Sequence, residues 1–260
     1  MVPNELELFE STALRRIRER TPARLFVGRC GAAYHTGTQL ELRAAQAAAA
    51  DAVRTELDIE SDLGHAIIDR YGLFEVQTAA RDKAEYLRNP ELGRRFDETR
   101  HKSIREFCEA GADLQIAIGD GLSVTAVATQ VPKLLPLLMD DAQQHGWNIG
   151  QPFVIRYCRV GIMNEIGDLL RPKVVVVLIG ERPGMATAES LSAYLAYKPK
   201  LGDTDAQRNL ISNIHERGIP AEAAAQRIVN FAARLTELGR SGASVKEQLV
   251  SSPDELRMKS

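Results

Sequence analysis

The strongest constraint on the fold is an unbroken aliphatic run at residues 174–179, within the segment KVVVVLIGERPG. The run is too short for a helix that is apolar all round, and valine dominates it, so it is typical of a strand covered on both faces. We therefore predict a central strand of a parallel sheet. Glycines and a proline at residues 180–184 end this strand in a turn. Because ligands bind at the carboxyl ends of strands in open α/β sheets, Glu181 and Arg182 are the first candidate binding residues.

Strands and helices are predicted to alternate from residue 71 onward. The further strands are expected at residues 73–80, 113–121, 152–160 and 190–197. Helices are expected at residues 91–109, from Ser123 as the cap to residue 146 with interruptions at Pro132 and Pro136, and at residues 165–170 and 221–238. Residues 82–90 and 199–218 are predicted to be loops.

This alternation predicts an α/β fold with a Rossmann-like, doubly wound and mainly parallel sheet. Residues 1–70 differ in character, since a glycine-rich loop at 24–37 precedes a run of helix-forming residues at 38–55. We expect two parts, an N-terminal helical region at 1–70 and the Rossmann-like domain at 71–260.

Composition excludes several classes of function. The formal charge of −2 argues against a dedicated nucleic-acid binder, which is usually strongly basic. The three cysteines are widely spaced and form no CxxC pair, so neither a disulfide framework nor a zinc site is indicated. No stretch approaches the roughly 20 apolar residues that cross a bilayer. We expect a cytoplasmic protein that binds no nucleic acid and no membrane.

Polar, glycine-rich loops follow three of the predicted strands, at residues 119–123, 159–161 and 180–184. Right-handed crossovers would bring all three to one edge of the sheet, where backbone N–H groups can meet a polar or anionic ligand. The chain contains no GxGxxG, GxxxxGK[ST] or GxSxG motif, so no dinucleotide, nucleoside triphosphate or acyl nucleophile is indicated. Asp120 could contact a ligand or only shape a tight turn.

Other conspicuous side chains are interpreted as structural. His215 has no second ligand at metal spacing and reads as a hydrogen-bonded structural histidine. Tyr194 and Tyr197 are expected to be packing or interface residues, and Cys158 a small buried apolar residue. Glu181 and Arg182 could instead form a surface ion pair.

Taken together, several segments closely resemble the light (small) chain of ethanolamine ammonia-lyase. They are RLFVGRCG at residues 24–31, DKAEYLRNPELGRRF at 82–96, DLQIAIGDGLS at 113–123, PFVIRYCRVGIMNEIGDLL at 152–170, VVVVLIGERPGMATAESLSAYLAY at 174–197 and ISNIHERGIPAEAAA at 211–225. The resemblance covers nearly everything from about residue 20 to residue 236.

The resemblance implies specific cofactor contacts. In this family the light chain contacts adenosylcobalamin, and the corresponding positions here are Val160, Glu181 and Leu210. The family often has cysteine at the last position, so Leu210 would offer only main-chain or apolar contact. No histidine of the chain lies in the Asp-x-His-x-x-Gly sequence with which many cobalamin enzymes ligate cobalt. The resemblance therefore implies base-on cobalamin, with no metal ligand and no catalytic residue on this chain.

The implied activity is that of a carbon–nitrogen lyase subunit. Homolysis of the cobalt–carbon bond starts a radical reaction that converts ethanolamine to acetaldehyde and ammonia. The large chain would hold the substrate, and this chain would close the cobalamin site in a hetero-oligomer, inactive alone. Some family members are addressed to a bacterial microcompartment, which is a further expectation. The residues alone leave open a free-standing binding module that uses Glu181 and Asp120 for another ligand, or a structural scaffold.

Overall fold

The computed structural model of the protein describes residues 12–20, 24–25, 27–184 and 187–248. Its helices are α1 (Thr12–Glu19), α2 (Thr36–Arg54), α3 (Ile59–Leu63), α4 (His65–Tyr71), α5 (Lys83–Arg88), α6 (Glu98–Phe107), α7 (Val124–Gln144), α8 (Met163–Leu170) and α9 (Ala221–Leu238). Its strands are β1 (Arg29–Cys30), β2 (Ala33–Tyr34), β3 (Phe74–Gln77), β4 (Leu114–Gly119), β5 (Phe153–Arg156), β6 (Val174–Gly180), β7 (Leu191–Tyr197) and β8 (Asn209–Ile214). Residues 1–11 of the predicted N-terminal helical region lie outside the described residues.

A six-stranded sheet in the order β3-β5-β4-β6-β7-β8 organises the chain. Neighbouring strands are parallel from β3 to β6, and β7 is antiparallel to both of its neighbours. The α/β class and the central position of the valine strand are thereby confirmed. The sheet is mixed on the far side of β6, where a parallel neighbour was expected for that strand.

The valine strand β6 is buried along its whole length, as predicted. Val174, Val176 and Leu178 belong to an apolar core that also contains buried residues of α7 and α9. Val175, Val177 and Ile179 lie in a second core with Ile104 of α6 and Ile166 of α8. Because successive strand residues point to opposite faces, an unbroken aliphatic run can fill both cores at once.

The connections between the parallel strands agree in hand. From β3 to β4 and from β5 to β6 the chain moves one way across the sheet, through α6 and α8 on the second-core face. From β4 to β5 it moves the other way, through α7 on the first-core face. Reversing both direction and face preserves one crossover hand, as parallel connections require.

The direction of β7 and the existence of β8 correct the sequence-based expectation. The described part of residues 181–190 forms no helix, and a segment of that length is too short for the usual parallel crossover, so β7 returns antiparallel. The segment 199–218 was predicted to be a loop, but it contains β8. In that strand Ile211 and Ile214 are buried while Leu210 is exposed, a broken alternation that gives a weak strand signal.

Two predictions in the segment 82–109 were also wrong, one of a loop and one of a continuous helix. The polar segment 82–90 contains α5, because Asp82 accepts a hydrogen bond from the N–H of Glu85 and caps a short helix. The helix predicted at 91–109 is divided into a 3-10 turn (Pro90–Arg94) and α6. Phe107 of α6 is 58% exposed, with its ring against Phe74.

The long helix α7 runs without interruption through Pro132 and Pro136, contrary to the prediction. Each proline removes one backbone hydrogen bond and costs roughly 3 kcal/mol in a helix interior. Burial of Val131, Leu134 and Leu135 offsets this cost, since each buried aliphatic side chain contributes about 1.5–3 kcal/mol. The cap predicted at Ser123 is confirmed, because its hydroxyl accepts from the N–H of Ala126.

Residues 57–68, which include α3, pack against the first core of the sheet. Leu57 and Leu63 are buried in the same apolar core as α7 and α9. Residues of the glycine-rich loop form the two-residue hairpin of β1 and β2. The division into parts at residue 70 stays a prediction.

Candidate functional site

The loops after β4, β5 and β6 converge at one edge of the sheet, as the sequence predicted. β4 and β5 are neighbours, but the helices that follow them, α7 and α8, lie on opposite faces. The two connections therefore separate and leave a crevice between them. This is the topological switch point at which open α/β sheets bind ligands.

A pocket of about 420 Å³ occupies this crevice. Both apolar and polar groups line its wall. Its lining residues are Tyr86, Gly121, Leu122, Cys158, Arg159, Val160, Ile179, Gly180, Glu181, Arg182, Ser192, Tyr194, Leu210 and Ser212. The volume falls within the usual range of about 300–1,000 Å³ for small-molecule sites.

The three predicted cofactor-contacting residues lie together in this pocket. Val160 follows β5, Glu181 follows β6 and Leu210 lies on β8, so the fold joins positions that are distant in sequence. Leu210 is 45% exposed and offers an apolar side chain at the rim. Arg182 also lines the pocket. This proximity is a property of the fold, and their role in binding remains a prediction.

Close backbone approach explains the two glycines at the centre of the pocket wall. A Cβ atom on Gly180 would lie 2.1 Å from the carbonyl oxygen of Ser123. A Cβ on Gly121 would lie 2.3 Å from the carbonyl oxygen of Gly180, and Gly121 has a φ of +56°, which favours glycine. The turn after β4 therefore lies directly against the end of β6.

Glu181 is held in place by hydrogen bonds from two neighbouring strands. Its Oε1 atom accepts from Ser192 Oγ of β7 at 2.6 Å and from the N–H of Asn213 of β8 at 2.9 Å. Within the described residues it forms no ion pair with Arg182 and accepts no hydrogen bond at Oε2. The side chain is thus positioned through one oxygen and has acceptor capacity left in the pocket.

Asp120 has a structural role. Its Oδ2 atom lies 3.2 Å from Nζ of Lys83, and its Oδ1 accepts from the N–H of Cys158 at 2.8 Å. Burial raises the pKa of Asp120, and Lys83 opposes that shift. Both oxygens are engaged and Asp120 is absent from the pocket lining. The interpretation of Asp120 as a ligand contact is therefore wrong, and the turn interpretation holds.

Tyr86 lies beneath the pocket and is fully buried. Its hydroxyl is 2.9 Å from the carbonyl oxygen of Gly121 and 2.8 Å from that of Cys158. Burial raises the pKa of Tyr86 well above the ordinary phenol value. The hydroxyl therefore stays protonated and donates a hydrogen bond to these carbonyls. The side chain of α5 thereby links the loops after β4 and β5.

The guanidinium of Arg159 lies over the Tyr86 ring, with Cζ 4.4 Å from the ring centroid. A cation over an aromatic face at this distance is a favourable arrangement. The stem of Arg159 crosses Gly93, where a Cβ would lie 2.8 Å from Cγ of the arginine. Tyr86 and Gly93 therefore fix the direction in which Arg159 enters the pocket.

The residues interpreted as structural are so in the fold. His215 is 4% exposed, and its Nε2 atom lies 2.8 Å from Oδ1 of Asn213. Cys158 is fully buried. Tyr194 packs on the second core and Tyr197 on the first, so the two rings lie on opposite faces of β7.

Sequence reasoning placed the loop at 159–161, with Arg159, at this edge but missed Tyr86, Ser192, Tyr194 and Ser212 as lining residues. Ser192 and Tyr194 could have been found, because residues two apart on a strand share a face. Tyr86 and Ser212 lie in segments that were predicted to be loops.

No group of three or more His, Cys, Asp and Glu side chains in the described residue ranges could hold a metal ion. Among the helices of the same ranges, none is long and apolar enough to cross a membrane.

An open, mainly parallel sheet with a pocket at its switch point is the architecture of α/β ligand-binding domains. Comparison with known proteins gives the particular family. The sequence profile of the ethanolamine ammonia-lyase light chain matches residues 11–246. The chain therefore belongs to the ethanolamine ammonia-lyase light chain family.

Individual relatives agree with the profile. The ethanolamine ammonia-lyase small subunit of Clostridium acetobutylicum is 39% identical over 242 residues, which is 93% of this chain and 95% of the relative. That of Clostridium perfringens is 40% identical over 230 residues, covering 88% of this chain and 76% of the relative. The small subunit of Listeria monocytogenes serotype 4a is 37% identical over 231 residues, or 89% and 77% of the two chains.

Proposed function

We propose that this chain is the small subunit of an ethanolamine ammonia-lyase and closes the adenosylcobalamin site jointly with a large subunit. The observation that carries the proposal is the convergence of Val160, Glu181 and Leu210 on one pocket. Family resemblance assigned these three positions independently of the fold. The pocket therefore brings the three assigned positions within reach of one ligand.

The pocket suits the periphery of a corrin. A corrin ring has an apolar edge and carries carboxamide side chains, which both donate and accept hydrogen bonds. Val160, Ile179 and Leu210 supply apolar surface, and Glu181 has a carboxylate oxygen available for an amide N–H. The pocket is smaller than a whole corrinoid, so the remaining enclosure would come from the large subunit.

Bound adenosylcobalamin supplies a carbon-centred radical, and the overall reaction converts ethanolamine to acetaldehyde and ammonia. The residues of this chain orient the cofactor and exclude water from one side of it. We assign no acid, base, nucleophile or cobalt ligand to this chain. The large subunit would hold the substrate, and the cobalt would take no ligand from this chain.

Three further assignments accompany this proposal. The mainly parallel part of the sheet is a Rossmann-like unit, extended by β7 and β8. Residues 1–70 and 71–260 are its helical and cofactor-contacting parts. The enzyme acts in the cytoplasm or within a bacterial microcompartment.

An ammonia-release assay with ethanolamine and adenosylcobalamin tests the proposal. This chain alone, the matching large chain alone and the mixture are compared. We expect activity only in the mixture. Glu181→Gln should raise the cobalamin concentration required for half-maximal rate by about tenfold, because an amide is a weaker acceptor than a carboxylate.

The matched control is Glu237→Gln, an exposed position at the end of α9. It should leave the cobalamin requirement unchanged. A folded mixture without activity, or activity that is indifferent to this chain, would contradict the proposal. The alternative is a free-standing binding module that uses Glu181 and Asp120 for another ligand. Asp120 is not available for this role, because its carboxylate is bonded to Lys83 and to the N–H of Cys158.

A further inference from the structure

We infer that Arg159 binds the anionic phosphodiester of the cobalamin nucleotide loop. The inference rests on the proposed function and adds a specific contact to it. Arg159 lines the pocket directly beside Val160. It is one of two positively charged side chains of the wall, with Arg182, and Glu181, serines, tyrosines and apolar side chains line the same space.

The guanidinium of Arg159 contacts the Tyr86 ring but has no hydrogen-bond or ion-pair partner within the described residues. Its Nε atom is buried without an acceptor. Arg94, which packs beside the nearby Gly161, differs, since it pairs with Glu91 at 3.2 Å. A desolvated, uncompensated N–H of a charged group is costly, so an incoming acceptor would be bound favourably.

The site is also rigid before any ligand arrives. The ring of Tyr86 supports the guanidinium plane, and the Tyr86 hydroxyl is fixed by the carbonyls of Gly121 and Cys158. The backbone N–H of Arg159 donates to the carbonyl oxygen of Gly93 at 2.7 Å. A planar, pre-organised guanidinium suits bidentate recognition of phosphate oxygens.

The chemistry of the ligand then decides which group Arg159 meets. Corrin side chains are neutral amides, and the phosphodiester is the anionic group of the cobalamin molecule. Glu181, on the turn after β6, accepts hydrogen bonds and would repel an anion. Glu181 and Arg159, two of the three charged side chains of the pocket wall, would therefore orient the cofactor, with amides toward Glu181 and phosphate toward Arg159.

The test compares three corrinoids by equilibrium dialysis against the complex of both subunits. Cyanocobalamin carries the complete nucleotide loop, cobinamide phosphate retains the phosphate without the nucleoside, and dicyanocobinamide lacks both. Arg159→Gln should weaken binding of the two phosphate-containing probes by ten- to a hundredfold, the effect of one charged hydrogen-bonded contact. Binding of dicyanocobinamide should change by less than about twofold. Arg159→Lys, which keeps the charge but not the fork, should give a smaller loss than Arg159→Gln.

Arg94→Gln is the matched control, because Arg94 packs beside Gly161 but is absent from the pocket lining. It should leave all three affinities unchanged. If Arg159→Gln weakened binding of all three probes equally, or of none of them, the assignment to phosphate would be overturned. Cobalamin binding by the parent complex would still support the proposed function in that case. Loss of subunit association in Arg159→Gln would overturn it in favour of an acidic partner on the large subunit. A parent complex that binds no corrinoid would refute both proposals.

Discussion

Lys83 Nζ lies 3.2 Å from Asp120 Oδ2, and the two side chains are only 7% and 1% exposed. The pair joins the first residue of α5 to the turn after β4. Asp120 also accepts the N–H of Cys158, so three loops around the pocket meet at one carboxylate. The Lys83–Asp120 pair therefore shapes the site from beneath without contacting its interior.

Breaking this pair should destabilise the protein strongly. Asp120→Asn leaves the Lys83 ammonium buried without a counter-charge, a change that costs about 3–5 kcal/mol. Urea unfolding followed by circular dichroism measures the loss. Asp140→Asn breaks the exposed pair with Arg70 and should cost under about 1 kcal/mol. Similar losses in the free energy of unfolding for the two variants would show that the buried pair contributes no more to stability than the exposed one.

Gly180→Ala should be destabilising because of contact with backbone atoms that cannot rotate away. The added Cβ would meet the carbonyl oxygens of Ser123 at 2.1 Å and Asp120 at 2.8 Å. We expect a loss of roughly 3 kcal/mol in the free energy of unfolding, as for other overpacked sites. Gly37→Ala in α2 meets no atom within 4 Å and should be neutral or slightly stabilising. A Gly180→Ala variant as stable as the parent would mean that the turn and β6 are not in contact.

Ser192→Ala should weaken cobalamin binding without changing the maximal rate. The serine hydroxyl donates to Glu181 Oε1, and its loss leaves the N–H of Asn213 as the remaining donor to that oxygen among the described residues. The cobalamin concentration at half-maximal rate should rise about three- to tenfold, equivalent to about 1 kcal/mol for one hydrogen bond. Ser212 lines the same pocket but forms no hydrogen bond with Glu181, so Ser212→Ala should have little effect on the cobalamin requirement. A fall in maximal rate alone would argue against a positioning role for Ser192.

Cys108 predicts a pH dependence of stability. Burial raises the pKa of its thiol to about 12, whereas an unfolded cysteine titrates near 8.5. The unfolded chain therefore releases this proton first, so the contribution to stability is complete below about pH 8.5 and is lost as pH rises toward 12. Cys108→Ala should be less stable than the parent at pH 7. The difference should shrink by about 1.5 kcal/mol between pH 8.5 and 10 in urea unfolding.

Val76→Ala serves as the control for that titration. Val76 is buried in the same core as Cys108 but has no ionisable group. Its stability difference from the parent should not vary over the same pH range. A parallel pH dependence in both variants would exclude ionisation of Cys108 as the cause.

Much of the fold could be predicted from strong local patterns in the sequence. The aliphatic run of β6 and the amphipathic pattern of α9 depend on the period of side chains along one element, which requires no knowledge of its neighbours. The cap at Ser123 likewise depends on hydrogen bonds within four residues. Predictions from weak or mixed patterns were wrong, as for β8 and α5. Tertiary packing determines the conformation of such short, half-exposed segments.

The candidate site shows the same division. Val160, Glu181 and Leu210 were assigned from family motifs, and Glu181 also from its position at a strand end. Arg159 and Tyr86 could not be recognised in the same way, since their roles depend on a ring and a guanidinium that the fold brings together from different elements. Asp120 was ambiguous in sequence, because the same Gly-Asp-Gly turn can face a ligand or a buried lysine.

The sequence by itself determined the α/β class, the buried central strand and the strand-end loops, because each follows from a pattern of neighbouring residues. Only the tertiary structure decided the antiparallel return of β7, the added strand β8 and the membership of the pocket. Those features depend on which segments meet across the sheet, where burial and hydrogen bonding between distant residues outweigh local preference. The Lys83–Asp120 pair is the clearest case, since its two charges are stable in the interior only because the fold places them together.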